Sequence, residues 1–583
     1  MFSHNMKESF IIWQDILKII AQEDGLSDLR NGEMSMWHMG SDMMQLAQNA
    51  FADPAKMMQL GYVWFNDAAQ LWQQSMQKYM DTPIEQEKTP PSDKRFVDDS
   101  WEDNVLFDYI KQHYLMTSSW MKNLVDSLDE GQDVHRKKKL SFYTQQWLDA
   151  MAPTNFMITN PEVLKATLDS NGENILKGLE NLRKDFERGK GKLAISTTDN
   201  EAFELGKNLA ATEGKVVFEN ELFQLLQYKA LIEHVHDKPL LLVPAWINKF
   251  YIFDMQQKNS LVHWLTSQGY SVFVVSWVNP DASLRDKKFD DYMIDGLIRA
   301  IDVTNDIAQS KQVSCMGYCL GGTLLACTLA YLHAKGMESK VSSATYLTTM
   351  LDFSEPGELG VFIDEEQISS LEAKMDKKGY LDNTEMSATF SLLRPNNMIW
   401  SFVVNNYLLG KEPFPFDLLY WNADSTRMPA ATHSFYLRNL YLKNKLAKGE
   451  LELAGEKIDL TRINTPSYIL STREDHIAPW TSTYASTQIY GGDITFVLAG
   501  SGHIAGVINP PTKNKYGYWT HDDTKGLTPE QWLKLATQHD GSWWLHWNDW
   551  QKKFSSQHKA PLNYGNAQYQ PIEDAPGSYV LEK

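Results

Sequence analysis

The stretch of the chain best suited to chemistry is Gly317-Tyr318-Cys319-Leu320-Gly321-Gly322. Its spacing is G-x-C-x-G. It joins an apolar run that reads as a strand, Val313 to Tyr318, to one that reads as a helix, Gly321 to His333. A strand-to-helix turn this tight has no room for a Cβ at the flanking positions, which is the steric reason for glycine there. The central residue takes a strained backbone, and its side chain stands above the sheet edge. A thiol held in that way, with a helix N-terminus behind it, favours its thiolate and can act as a nucleophile. The chemistry this predicts is covalent acyl transfer through Cys319. A cysteine without that spacing is better read as packing, as we read Cys315 inside the strand and Cys327 inside the helix.

A nucleophilic thiol needs a base, and the base needs a group to orient it. Downstream, the strand-like run Ile469 to Ser471 ends in Thr472-Arg473-Glu474-Asp475-His476. The run Ile494 to Leu498 ends in Ala499-Gly500-Ser501-Gly502-His503. Asp475 and His503 therefore follow Cys319 in the order nucleophile, acid, histidine, each at the end of a strand, as an α/β-hydrolase fold requires. Glu474 competes with Asp475, and His476 with His503. The small-residue turn Gly500-Ser501-Gly502 lets the later ring reach the elbow, so His503 is the expected base, with His476 beside the pair. One oxyanion donor is expected at the backbone N–H of Leu320. The other should come from Pro244-Ala245-Trp246-Ile247-Asn248-Lys249, after the strand Leu240 to Val243, with Trp246 and Ile247 as candidates.

These residues must be positioned by a sheet. From about residue 239, short β-rich runs (Leu240 to Val243, Ser271 to Trp277, Val313 to Tyr318, Val341 to Leu351, Ile469 to Ser471 and, last, Ile494 to Leu498) alternate with amphipathic helices. That alternation predicts a parallel sheet covered by helices on both faces. The interval of about 354–447 breaks it and is expected to be a lid over the site. Residues before about 200 look helical. Phe10, Trp13, Leu17 and Ile20 form one apolar face; Met57, Leu60, Val63, Trp64, Ala68 and Leu71 form another. A charged linker with prolines at 83, 90 and 91 follows, and Pro153 and Pro161 interrupt the next helices. The expected architecture is a helical N-terminal domain, 1–200, and an α/β-hydrolase catalytic domain, 201–583, with its lid insertion.

Composition narrows the function further. The 583 residues carry a net charge of −19, which repels nucleic acid and excludes it as a partner. Three cysteines in one region form no disulfide framework and suit a reducing compartment. Lys7, Glu8, Gln14 and Asp15 interrupt the first apolar stretch, so no signal peptide is expected and the expected location is cytoplasmic. The 19 Trp, 25 Tyr and 25 Phe imply a large aromatic core, with Trp400 to Phe402 and Phe414 to Trp421 as candidate walls of the site or dimer contacts. No metal site is suggested.

The segment Pro244-Ala245-Trp246-Ile247-Asn248-Lys249-Phe250-Tyr251-Ile252 resembles the P-x-x-I-N-K-x-Y-I stretch of poly(3-hydroxyalkanoate) synthases. The Cys319 elbow is similar to their modified lipase box. Asp475-His476-Ile477 and Gly502-His503-Ile504-Ala505-Gly506 with Asn509-Pro510-Pro511 are similar to their Asp and His motifs. Pro153-Thr154-Asn155-Phe156, Thr159-Asn160-Pro161-Glu162 and Leu351-Asp352-Phe353 also match. The likeness runs from about residue 94 to 550 and is to the single-subunit type. Where the family has two prolines, this chain has Pro244-Ala245. The resemblance implies polymerisation of (R)-3-hydroxyacyl-CoA, mainly the four-carbon unit, with CoA released and no cofactor beyond the CoA thioester substrate. It implies a homodimer, a growing polyester chain, and contact with the granule surface and granule-associated proteins. A Cys-type ester or lactone hydrolase, or a polyester depolymerase, would share the elbow, and a non-catalytic granule scaffold would keep the fold alone.

Overall fold

The computed structural model describes residues 2–22, 54–80, 93–127, 134–555 and 557–583. The chain divides into two compact units, Met1–Asp199 with Phe390–Phe414, and Asn200–Thr389 with Pro415–Lys583. Much of the expected linker, including its prolines at 83, 90 and 91, lies outside the described residues.

The first unit is helical: α1 (Phe2–Gln22), α2 (Pro54–Met80), α3 (Val105–Asp126), α4 (Val134–Ala150), α5 (Pro161–Asp169) and α6 (Glu173–Arg188). Local chemistry sets its boundaries. Asn160 Oδ1 accepts from the Glu162 and Val163 amides, and Pro161 opens α5. The proline read as a break is thus a capped helix start. The Arg95 guanidinium bonds Asp93 and the buried Asp149 and lies over the Tyr114 ring. Gly178 on α6 lets the Tyr407 carbonyl approach so closely that a Cβ would stand 1.8 Å from it, while Tyr407 Oη donates to the buried Asp185 carboxylate. The interval 354–447, expected as one lid, is therefore shared between the units, with Phe390–Phe414 belonging to the helical one.

The second unit is built on an eleven-stranded sheet, ordered β10-β9-β8-β7-β6-β5-β3-β4-β2-β1-β11. The strands are β1 (Gly214–Glu219), β2 (Phe223–Tyr228), β3 (Leu240–Val243), β4 (Val272–Trp277), β5 (Val313–Tyr318), β6 (Val341–Leu347), β7 (Ser467–Thr472), β8 (Ile494–Ala499), β9 (Tyr518–Thr520), β10 (Thr537–His539) and β11 (Glu573–Asp574). From β4 to β8 the pairing is parallel, as the alternation predicts. The sheet does not stop at β8, however. Antiparallel β9 and β10 extend that edge, and antiparallel β2, β1 and β11 extend the other. β3 to β7 are buried at every position; β3 and β4 read as nearly unbroken apolar runs, whereas β5 to β7 bury Ser, Thr or Gly among their apolar residues. β9 and β10 are short and part-exposed, so they carry no such signal.

Helix α7 (Arg299–Ala308) precedes β5, and α8 (Leu320–Ala334) leaves it. Every residue of α8 from Leu320 to Ala330 is buried, as expected of a helix apolar on all sides. After β7 comes α9 (Trp480–Ile489), and α10 (Trp543–Gln551) lies near the end of the unit. Trp543, Trp544 and Trp547 of α10 are core residues whose indole N–H groups donate to the Gly506 and Val507 carbonyls and to Thr345 Oγ1. Two of these bonds hold the segment just after His503. No helix among the described residues is long and apolar enough to cross a membrane.

The start of α8 tolerates no side chain at residue 321: a Cβ there would lie 2.2 Å from the Val243 carbonyl and 2.6 Å from that of Pro244. Gly321→Ala must displace the end of β3 and should lower the thermal midpoint markedly. Gly336→Ala meets nothing within 4 Å and carries only the strain of its left-handed φ of 68°, about 1 kcal/mol. Calorimetry of the two variants checks the ranking.

Candidate active site

Cys319 is the residue between β5 and α8, with φ 52° and ψ −123°, a conformation that L-residues rarely adopt. Its amide donates to the Leu347 carbonyl at the end of β6. Its carbonyl accepts from Gly322 N at 2.9 Å and Thr323 N at 3.2 Å, which starts the helix. Gly317 and Gly322 pass so closely that a Cβ on Gly317 would stand 2.5 Å from the Gly322 Cα. The side chain is part-exposed, whereas Cys315 and Cys327 are buried and burial pushes their thiols up. The Leu320 amide lies in the first turn of α8, where N–H groups have no intrahelical acceptor.

His503 follows β8 and is buried. Its Nδ1 lies 2.7 Å from Asp475 Oδ2, and the Cys319 thiol is within hydrogen-bonding reach of the same ring. With Nδ1 committed to the carboxylate, Nε2 is the nitrogen left for the thiol. Asp475 is itself fixed: Oδ1 accepts the Ile477 and Ala478 amides at 2.9 and 2.8 Å, and Thr472 Oγ1 donates to Oδ2 at 3.1 Å. Glu474 is exposed and His476 part-exposed in the same turn. Of the two adjacent carboxylates, Asp475 is the one that meets the imidazole. Burial alone would push the His503 imidazole down. The charges of Asp475 and Cys319, with their hydrogen bonds, outweigh it and hold the ring up at about 10.

The loop after β3 reaches the elbow, because the Val243 and Pro244 carbonyls occupy the space beside Gly321. Trp246 and Ile247 are buried in it. Thr426 binds both of their carbonyls, through Oγ1 at 2.6 Å and N at 3.3 Å.

Sequence reasoning missed three tyrosines. The Tyr318 ring packs against His503 at a tilt of 45°, with ring centroids 5.3 Å apart. Tyr436 and Tyr441 pack edge to face at 5.0 Å and feel the Cys319 charge. Burial pushes all three phenols up, and that charge adds to it. The π-type turn Leu437–Leu442 brings residues five apart onto one side, a pairing that ordinary helical spacing does not suggest. Of the expected aromatic walls, Trp400 to Phe402 belong to the helical unit, Phe414 is exposed, and Trp421 is a core residue bonded to the Lys249 carbonyl.

The sheet and the elbow define an α/β-hydrolase-fold protein with a cysteine in the nucleophile's place. The family model described as alpha/beta hydrolase fold matches residues 238–510, and that described as poly-beta-hydroxybutyrate polymerase (PhaC) N-terminus matches 92–265. The chain is 45% identical over 556 residues to a poly(3-hydroxyalkanoate) polymerase of Methylorubrum extorquens, covering 95% of this chain and 91% of that protein. It is 44% identical over 537 residues to the poly(3-hydroxyalkanoate) polymerase subunit PhaC of Cupriavidus necator, covering 91% and 89%. The chain belongs to the poly(3-hydroxyalkanoate) polymerase family.

The raised imidazole has a signed consequence. A ring whose pKa is about 10 folded and 6.5 unfolded contributes stability that is complete below about pH 6.5 and lost as pH rises through about 10. Asp475→Asn removes the charge that raises it. The gap in thermal midpoint between wild type and Asp475→Asn should therefore be widest near pH 6.5 and narrow towards pH 10. Differential scanning fluorimetry across that range measures it; a gap that widens with pH contradicts the assignment.

Proposed function

We propose that this chain polymerises (R)-3-hydroxyacyl-CoA, mainly the four-carbon unit, into polyester through a Cys319 thioester. Polymerase activity follows from family membership. The role of each residue rests on one observation: a buried imidazole lies between the Asp475 carboxylate and the thiol at the elbow.

His503 Nε2 takes the Cys319 proton, and Asp475 stabilises the resulting imidazolium. The thiolate attacks the acyl carbon, and the oxyanion rests on the Leu320 N–H and an amide of the 246–247 loop. The carbon–sulfur bond to CoA breaks, and CoA leaves with the proton returned by His503. The 3-hydroxyl of an acyl unit then gives its proton to the base and attacks the neighbouring acyl thioester. An ester bond forms, and the sulfur is released for the next unit. Exchange between thiol and thioester is close to isoenergetic, so the acyl group stays activated until the hydroxyl arrives. The buried Tyr436 and Tyr441, on which the charge of Cys319 acts, help keep water from the thioester. No resident cofactor takes part.

The helical unit supports the expected homodimer and granule contacts. On α2, Met58, Phe65, Trp72 and Tyr79 recur every seven residues and are 75%, 67%, 53% and 76% exposed. A seven-residue apolar stripe suits a helix or an apolar surface as its partner. The location consistent with this reading is the cytoplasmic granule surface.

Cys319→Ala should abolish CoA release from (R)-3-hydroxybutyryl-CoA, followed as free thiol together with turbidity; retained turnover removes the nucleophile assignment. Free 3-hydroxy acid in place of insoluble polymer from the wild type would instead indicate a hydrolase. Deleting residues 1–90 should weaken self-association and granule attachment, measured by light scattering and granule sedimentation, and unchanged values would exclude that role.

A further inference from the structure

Lys249 is the last residue of the loop that carries the Trp246 and Ile247 amides. Its side chain is 4% exposed, unusual for a lysine. The ammonium has three donors and finds three acceptors: the Val580 carbonyl at 2.7 Å, the Glu582 carbonyl at 2.9 Å and Asp424 Oδ1 at 3.0 Å. Asp424 Oδ2 in turn accepts from Tyr251 Oη at 2.8 Å. The Lys249 carbonyl accepts from Trp421 Nε1 at 2.7 Å. The same two segments are tied together nearby, where Arg427 donates to the Lys583 carbonyl and Asn279 binds both Arg427 N and the Glu582 carbonyl. A buried ammonium is tolerated only when it is fully paired, so the carbonyls of Val580 and Glu582 are a condition of this arrangement.

The loop is thus held at both ends. At Pro244 it lies against Gly321 of the elbow, and Trp277 Nε1 holds the Pro244 carbonyl at 2.9 Å. At Lys249 it is clamped by the segments 421–427 and 580–583. In between, Thr426 binds the Trp246 carbonyl. Because C=O and N–H of one trans peptide point in opposite directions, that bond also sets the direction of the Ile247 amide. An oxyanion donor works only if it is aimed before the charge develops.

We propose that Lys249 is a positioning residue for acyl transfer: clamped by Asp424 and the carbonyls of Val580 and Glu582, it holds the loop that completes the oxyanion hole, so that segment 580–583 acts in catalysis without touching a reacting atom. The proposal rests on the polymerase reading and on that loop as the second donor.

The test is Lys249→Met, with Lys249→Arg and a chain ending at Leu581 beside it. The last removes the Glu582 and Lys583 carbonyls and keeps that of Val580. Lys249→Met should lower kcat for CoA release about 10²-fold, the scale expected of a misplaced donor, with KM changed less than about threefold. Lys249→Arg, which keeps the charge, should recover part of the loss. Alkylation of Cys319 by iodoacetamide should stay at the wild-type rate, because none of the clamp bonds involves Cys319, His503 or Asp475. A role in folding alone would lower the thermal midpoint and the alkylation rate together with kcat, and that pattern overturns the proposal. So does Lys249→Met with kcat within about threefold of wild type. If Lys249→Met does not fold, the chain ending at Leu581 decides by the same kcat criterion. A wild type that alkylates but releases no CoA defeats the polymerase reading itself, and this proposal with it; a wild type that releases CoA, beside an unaffected variant, defeats this proposal alone.

Discussion

The backbone at Cys319, at φ 52° and ψ −123°, constrains everything around it. The conformation is held from both sides, by the bond from its amide to the Leu347 carbonyl and by the contact of Gly321 with the end of β3. A side chain on that turn has one place to go, above the carboxyl edge of the parallel strands. The other groups of the site must be brought to the sulfur, and they come from the loops after β3, β7 and β8, which end at the same edge. The buried parallel core of the sheet provides that common edge.

Two ion pairs then organise the edge, the buried Asp475 with the buried His503 and the buried Lys249 with the part-exposed Asp424. Each takes charge out of water, and each is satisfied on nearly every side: Asp475 by two amides, a hydroxyl and the ring, Lys249 by a carboxylate and two carbonyls. Removing one partner of such a pair typically costs about 3–5 kcal/mol, because the other charge is left buried and unpaired. The pairs therefore say more about geometry than about net stability. One aims the base at the sulfur; the other fixes a backbone loop beside it.

The aromatic composition has several uses. The three tryptophans of α10 fill the core and anchor the turn behind His503 and β6. Tyr318, Tyr436 and Tyr441 are buried phenols on which the charge of Cys319 acts. Phe65, Trp72 and Tyr79 of α2 remain exposed. One residue class thus supplies core, site wall and surface stripe, which is why composition alone could not sort them.

By itself the sequence determined the elbow, the strands β3 to β8 and the order of Cys319, Asp475 and His503. Each is a local signal: a glycine pattern forced by sterics, or a short β-rich run that alternates with helices. It did not reveal the antiparallel edges of the sheet, whose short, part-exposed strands carry no such run. It read the interval 354–447 as one piece, whereas Gly178 admits the Tyr407 backbone and draws residues 390–414 to the helical unit. The pairing of Tyr436 with Tyr441 and the clamp on Lys249 were decided only by tertiary structure. The clamp joins residues far apart in the chain, up to 333 positions for Lys249 and Glu582, and no local pattern encodes a pairing at that distance.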